Sequence, residues 1–136
     1  MDIFTRTFIA ISILFIGWGI YQIHNRALKL RTPSLLADIG LSRPSSLTLV
    51  YFTTPTCIPC KTVQRPAIEK LRQQMGSEIK IIEINAAERT DLASRWGVMS
   101  VPTIFIFDLK GDLLHINHGV TRVEKLLTQI QNNKTA

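Results

Sequence analysis

Only two of the 136 residues are cysteine, which excludes a disulfide-dense scaffold and a four-thiolate zinc site built from one copy. There is no glycine-rich phosphate loop, no His-Glu-x-x-His pair, no EF-hand loop and no internal repeat of useful length. Charge is sparse, at 19% of residues, and nowhere forms a block of one sign. The net charge of +6 is spread along the chain. Residues 1–46 hold Arg6, Arg26, Lys29, Arg31 and Arg43 against Asp2 and Asp38, and the rest holds eleven basic and eight acidic residues. A basic stripe with interleaved aromatics, the footprint of a nucleic-acid binder, is missing, so no nucleic-acid partner is expected. Hydrophobic residues make up 46% of the chain, which excludes intrinsic disorder. Any covalent chemistry falls to the two cysteines.

The longest uncharged run extends from Thr7 to Asn25. As a helix it would span roughly 28 Å, close to the hydrocarbon core of a bilayer. Its apolar side chains occur all round the helix rather than on one stripe. Trp18 and Tyr21 lie near one end, where interfacial aromatics are favoured. The run closes in Tyr21-Gln22-Ile23-His24-Asn25-Arg26, without the small-x-small site of a cleaved signal peptide. We therefore expect an uncleaved single-pass anchor followed by a basic membrane flank, Arg26-x-x-Lys29-x-Arg31. Three basic residues after the run against Arg6 before it favour the C-terminal side in the cytoplasm.

Thr32-Pro33 before an apolar segment and Gly40 predict a short helix, and Ser42 to Ser46 reads as a linker. The expected organisation is tail and anchor over 1–25, flank and linker over 26–46, and one compact domain over 47–136. Within that domain β-rich runs predict strands at 47–52, 79–84, 103–107 and 113–117, and helical spacing predicts helices at 58–75, 89–96 and 122–132. Thr121-x-x-Glu124 reads as a capping box for the last of these. The first three strands, nearly continuous in apolar character, are expected to be parallel and covered on both faces, and the last pair to form a hairpin. The fold class is α/β with a mixed central sheet flanked by helices.

Thr56-Cys57-Ile58-Pro59-Cys60-Lys61 falls where the first strand turns into the first helix of the domain. A helix N-terminus offers unpaired N–H groups and a partial positive charge, both of which stabilise a thiolate. Cys57 is placed at the cap or first turn, and Cys60, three residues on, can reach its sulfur. An exposed first thiol and a shielded second one can cycle: the first attacks a disulfide and the second resolves the mixed disulfide. Two other readings of the pair are weaker. Zinc would need His24, His115 or His118, and His115 and His118, three apart on a strand, point to opposite faces; no metal is expected. A purely structural disulfide would close too small a loop to stabilise much.

The segment Phe52-Thr53-Thr54-Pro55-Thr56-Cys57-Ile58-Pro59-Cys60-Lys61, with Gly97-Val98-Met99-Ser100-Val101-Pro102-Thr103, Lys110-Gly111-Asp112 and Gly119, resembles the thioredoxin family over about Leu47 to Ile130. The resemblance implies a thioredoxin-like fold, with Cys57 as nucleophile and Cys60 as resolving thiol of a redox-active disulfide. It also implies a cis peptide at Val101-Pro102 that offers Val101 backbone to an extended substrate, and a close substrate approach at Gly119. Thr56, Ile58 and Pro59 would shape the surface around Cys57. The sequence departs from the family where Thr56 replaces Trp and Ile58 replaces Gly. Tyr51 stands in place of the buried Asp beneath the second cysteine, and Glu83 in place of its accompanying Lys. The N-terminal strand and most of the first helix of the full fold are missing.

Glu83 interrupts an apolar strand. If that strand is interior, as expected for this fold, its carboxylate is partly buried, with a raised pKa, and accepts the Cys60 proton through water. If the strand is an edge, the carboxylate is merely solvated. Lys61 adds positive field near Cys57, Trp96 and Phe107 are core residues, and His115 and His118 lie on the surface. The expected activity is membrane-tethered thiol–disulfide exchange with protein substrates, in the reducing direction, without a cofactor, by a monomer drawing on an unidentified electron donor or acceptor. A non-turnover redox sensor, an extracytoplasmic oxidant and a thiol-based metal handler are the competing readings.

Overall fold

A computed structural model describes the backbone over 3–42 and 44–134, and side chains over 3–23, 35–42 and 44–133. Arg43 and the side chains of Arg26, Lys29 and Arg31, expected as a basic flank, lie outside the described residues. The chain divides into two compact units, Met1–Thr32 and Pro33–Ala136.

Helix α1 (Ile3–Asp38) carries the apolar run. Its stretch Ile3–Ile23 has 21 residues with a mean hydropathy of 1.8 and 0% burial, long and apolar enough by composition to cross a membrane. Two of its hydroxyls turn inward on the helix. Thr7 Oγ1 donates to the Ile3 carbonyl (2.9 Å) and Ser12 Oγ to the Phe8 carbonyl (2.9 Å), so neither needs water. The segment expected as a separate short helix is the end of α1 instead. Proline removes one backbone donor, but its fixed φ is helical, and Leu35-Leu36-Ala37 continues the helix. The glycine stop is as expected. Gly40 takes φ 75°, its N–H donates to Ala37 O and the Leu41 N–H to Leu36 O, the paired bonds of a Schellman cap.

In the second unit four strands, β1 (Leu47–Thr53), β2 (Ile79–Asn85), β3 (Thr103–Phe107) and β4 (Leu113–His118), form a mixed sheet in the order β2-β1-β3-β4. All seven residues of β1 are buried, as befits a central strand covered on both faces. Leu49 and Tyr51 point to one side, with Ile104 and Ile106, beneath α2 (Arg65–Met75) and α4 (Val123–Lys134). Val50 and Phe52 point to the other, with Phe105, Phe107, Leu36 and the residues of α3 (Thr90–Arg95). Trp96 fills the second face, with ring centroids 5.0–5.8 Å from Phe52, Phe105 and Phe107, although its indole N–H has no partner among the described residues. Leu36 is 2% exposed in this cluster, so packing in the unit starts upstream of Leu47.

Two expectations about the sheet need correction. β3 runs antiparallel to β1, not parallel. Apolar character on both faces records that β3 is covered on both sides and not its direction, and its register with β1 sets Thr103 against Phe52, near the end of β1. The chain therefore starts β3 at the end where β2 finished. Strand β2 also pairs only with β1, so it is an edge of the described sheet rather than an interior strand.

The expected capping box at Thr121 is replaced by a tertiary contact. The Thr121 N–H donates to Gln64 Oε1 (2.7 Å) rather than to Glu124, and Gln64 Nε2 donates to the Thr121 carbonyl (3.0 Å). Gln64 is 0% and Thr121 3% exposed, so neither backbone group has water as an alternative. Gln64→Leu should cost about 2–3 kcal/mol by orphaning both, read as a fall in the denaturant midpoint with an unchanged slope. A midpoint within error of wild type would show that the pair contributes nothing.

Candidate functional site

The site forms where β1 ends. The Cys57 N–H donates to Thr54 O (3.2 Å), closing a turn, and the Cys57 carbonyl accepts the Lys61 N–H (3.3 Å), opening the helix. Cys57 is thus the cap residue, and Cys60 holds the third helical position. The Cys60 N–H donates to Cys57 Sγ (3.2 Å), the place that a serine or aspartate oxygen fills in an ordinary N-cap. A negatively charged sulfur there is stabilised by that donor and by the helix dipole. The two sulfurs form a disulfide, with Cα atoms 5.3 Å apart. Cys57 is 8% exposed and Cys60 1%. Cys57 is therefore buried rather than exposed as expected, because the disulfide packs into the core under α2 and α4, although it stays the more open of the two residues.

Past Pro59 the helix widens into a π-turn over Cys60–Gln64, in which the Arg65 N–H donates to the Cys60 carbonyl. The widening has a local cause. Pro66 has no N–H to give the Thr62 carbonyl, and its ring would crowd that carbonyl in a regular α-helix.

On the far side of the dithiol the Val101-Pro102 peptide is cis. Thr103 Oγ1 holds its turn by donating to Ser100 O (2.6 Å), and the Gly119 N–H donates to the Pro102 carbonyl (2.8 Å). Val101 packs against the cluster that contains both cysteines. Gly119 has φ 81°, a conformation that strains any residue with a Cβ. Gln64, in the dithiol helix, holds Thr121 two residues further on. A chain of contacts therefore ties the Cys60 turn to the 119–121 loop and that loop to Pro102. Thr56, Ile58 and Pro59 are exposed beside Cys57, with Ile58 71% open. Lys61 is exposed as well.

Glu83 does not sit as the interior-strand expectation had it. On the edge strand its side chain is 47% exposed and accepts from Arg65 Nη2 at 2.9 Å. An exposed pair of this kind contributes about 0–1 kcal/mol. The polar group that does reach the second cysteine is the Tyr51 phenol, which donates to the Cys60 carbonyl at 3.4 Å. Burial pushes the Tyr51 pKa above its ordinary 10.0; the Thr53 hydroxyl opposes this, the Glu83 charge adds to it, and Arg65 opposes it.

Sequence reasoning missed the roles of Gln64 and Arg65. Gln64 lies four residues after Cys60 and three before Ala67, so helical spacing alone places it on the buried face. Its partner, 57 residues away, left no local signal.

The raised phenol has a definite pH consequence. A group whose folded pKa exceeds its unfolded one adds stability that is complete below the unfolded value and lost as pH rises through the folded value. Wild type should therefore lose more stability than Tyr51→Phe as pH climbs past 10.0. Denaturant midpoints of both proteins over this range check it, and parallel curves would contradict it.

Comparison with known proteins places this geometry. The Thioredoxin family model matches residues 38–132. The chain is 36% identical to the thioredoxin of Bacillus subtilis (strain 168) over 78 residues, 57% of this chain and 73% of that protein. It is 37% identical to thioredoxin 1 of Synechococcus elongatus over 59 residues, 43% of this chain and 54% of that protein, so it spans about half the length of that relative. Among solved structures, mitochondrial thioredoxin 3 from Saccharomyces cerevisiae superposes with a TM-score of 0.61 at 22% identity, over 71% of this chain and 89% of that one, a likeness of fold. With a capped Cys57–Cys60 disulfide at the end of a central strand and a matching family model over most of its length, the chain belongs to the thioredoxin family of thiol–disulfide oxidoreductases.

Proposed function

We infer that the chain is a membrane-tethered reductase of protein disulfides, in which Cys57 attacks and Cys60 resolves. The observation that carries this reading is the Cys60 N–H aimed at Cys57 Sγ at the helix start, because it favours the thiolate on the more accessible of the two sulfurs. The Cys57 thiolate attacks a partner disulfide, forms the mixed disulfide and expels one partner thiolate. Cys60 then loses its proton to solvent and attacks Cys57 Sγ. The Cys57–Cys60 bond forms, the mixed disulfide breaks, and its electron pair leaves with the second partner sulfur. Thr56, Ile58, Pro59, Val101, Pro102 and Gly119 form the surface on which the partner segment lies. A separate dithiol donor returns the electron pair, no cofactor is needed, and the protein works as a monomer.

Residues 1–25 serve as tail and anchor, 26–46 as flank and connector, and 47–136 carry the exchange. Tethering raises the effective concentration of the dithiol toward membrane-bound partners. Arg26, Lys29 and Arg31 after the span, against Arg6 before it, favour the dithiol on the cytoplasmic side. That placement agrees with a reducing role, since disulfides persist mainly outside the cytoplasm.

Cys57→Ser should abolish disulfide exchange, and Cys60→Ser should accumulate mixed disulfides with partners, seen as thiol-sensitive bands in non-reducing gels. Normal turnover by Cys60→Ser, or trapping by Cys57→Ser, would reverse the assignment, and single turnover by wild type in excess dithiol donor would make the protein a sensor. In intact, reduced cells a membrane-impermeant maleimide should label Cys57 poorly until lysis. Efficient labelling without lysis would place the domain outside and favour an oxidant.

A further inference from the structure

The second cysteine has an unusual neighbour. Tyr51 is 1% exposed in the cluster that contains Cys57, Cys60, Ile68, Leu71 and Leu126. Its phenol donates to the carbonyl of Cys60, the same carbonyl that accepts the Arg65 N–H across the π-turn. In a regular α-helix that carbonyl would bond the Gln64 N–H. A second donor held by the central strand therefore braces the wider turn that carries the resolving sulfur. From β2, Glu83 is the direct neighbour of Tyr51 across the strand pair, and it is turned to Arg65. From α2, Arg65, Glu69 and Arg72 line with Tyr51 a small pocket of about 130 Å³. From β3 and α4 the cluster presents only apolar groups, Ile104, Ile106, Val123, Leu126 and Ile130.

We propose that Tyr51 is a positioning residue for the resolving step: its neutral phenol holds the Cys60 turn against β1, so that the Cys60 sulfur stays in reach of Cys57, and takes up no proton itself. This rests on the assignment of Cys57 as attacking and Cys60 as resolving thiol. Burial keeps the phenol protonated throughout the range in which the thiols titrate. The proton released by Cys60 passes to water, and Tyr51 leaves that balance untouched.

The test is single-turnover reduction of the disulfide dimer of nitrothiobenzoate by the full chain in detergent, at several pH values between about 6 and 9. Each reduced protein releases one coloured thiolate when Cys57 attacks and a second when Cys60 resolves. For Tyr51→Phe the first release should keep its wild-type rate, and the second should slow about three-fold at every pH, as expected for losing one long, neutral hydrogen bond. The fold should survive, because the Cys60 carbonyl keeps its Arg65 donor, and a thermal melt of the same variant reports on this directly. An unchanged second release would overturn the proposal. So would equal slowing of both releases with a lowered melting temperature, which is the mark of a purely structural residue. An inflection in the wild-type second release that Tyr51→Phe lacks would show the phenol exchanging a proton, also against the proposal. If wild type released only one thiolate, the division of roles between the cysteines would fail instead, and that result is visible without any variant.

Discussion

The hydrogen bond from the Cys60 N–H to Cys57 Sγ is the contact around which the second unit is arranged. It requires a helix that starts at one residue and not at its neighbour, and a strand whose end does not move. Strand β1 meets the second demand, being buried at every position and paired on both sides, to β2 and β3. The turn from Thr54 to Cys57 meets the first, since its closing bond delivers Cys57 to the cap with the sulfur facing the free donors. The chemical bias between two otherwise identical thiols arises from this placement. One sulfur sits at the positive end of a helix, and the other is enclosed beneath it at 1% exposure.

The surroundings keep that junction fixed through contacts distant in sequence. Gln64 and Thr121 exchange two hydrogen bonds in the interior, and the Gly119 N–H holds the Pro102 carbonyl. Two loops distant in sequence are thus fastened beside the disulfide. Neither fastening spends a side chain of the exposed rim, where Ile58 is 71% open. The rim of Thr56, Ile58 and Pro59 is exposed and carries no charge. The charged pair close to the site joins Arg65 of α2 to Glu83 on the β2 edge, and both side chains are about half exposed.

The two units solve the problem of burial in different ways. In the Pro33–Ala136 unit the apolar residues of β1 and β3 face both sides of the sheet and helices pack over each face, so protein covers protein. In the Ile3–Ile23 stretch apolar residues point in every direction and none is buried. Its Thr7 and Ser12 hydroxyls bond back to their own helix. By length and composition that stretch could cross a membrane.

The sequence by itself determined whatever depends on neighbours a few residues apart. The apolar run, the strand at Leu47, the glycine closing α1 at Gly40 and the placement of Cys57 and Cys60 at a strand-to-helix turn were all legible, because periodicity and caps are local properties. Tertiary structure decided the rest. Whether Ile79–Asn85 is an edge or an interior strand depends on how many strands pair beside it, and the alternation within β2 carries no record of that number. Glu83 was therefore expected as a partly buried base, and the edge position with Arg65 shows a half-exposed ion pair instead. The direction of β3 is a matter of its pairing with β1 and left no trace in the composition of β3. Gln64 and Tyr51 act on groups 57 and 9 residues away, and contacts across such separations exist only once the sheet has brought the helices together.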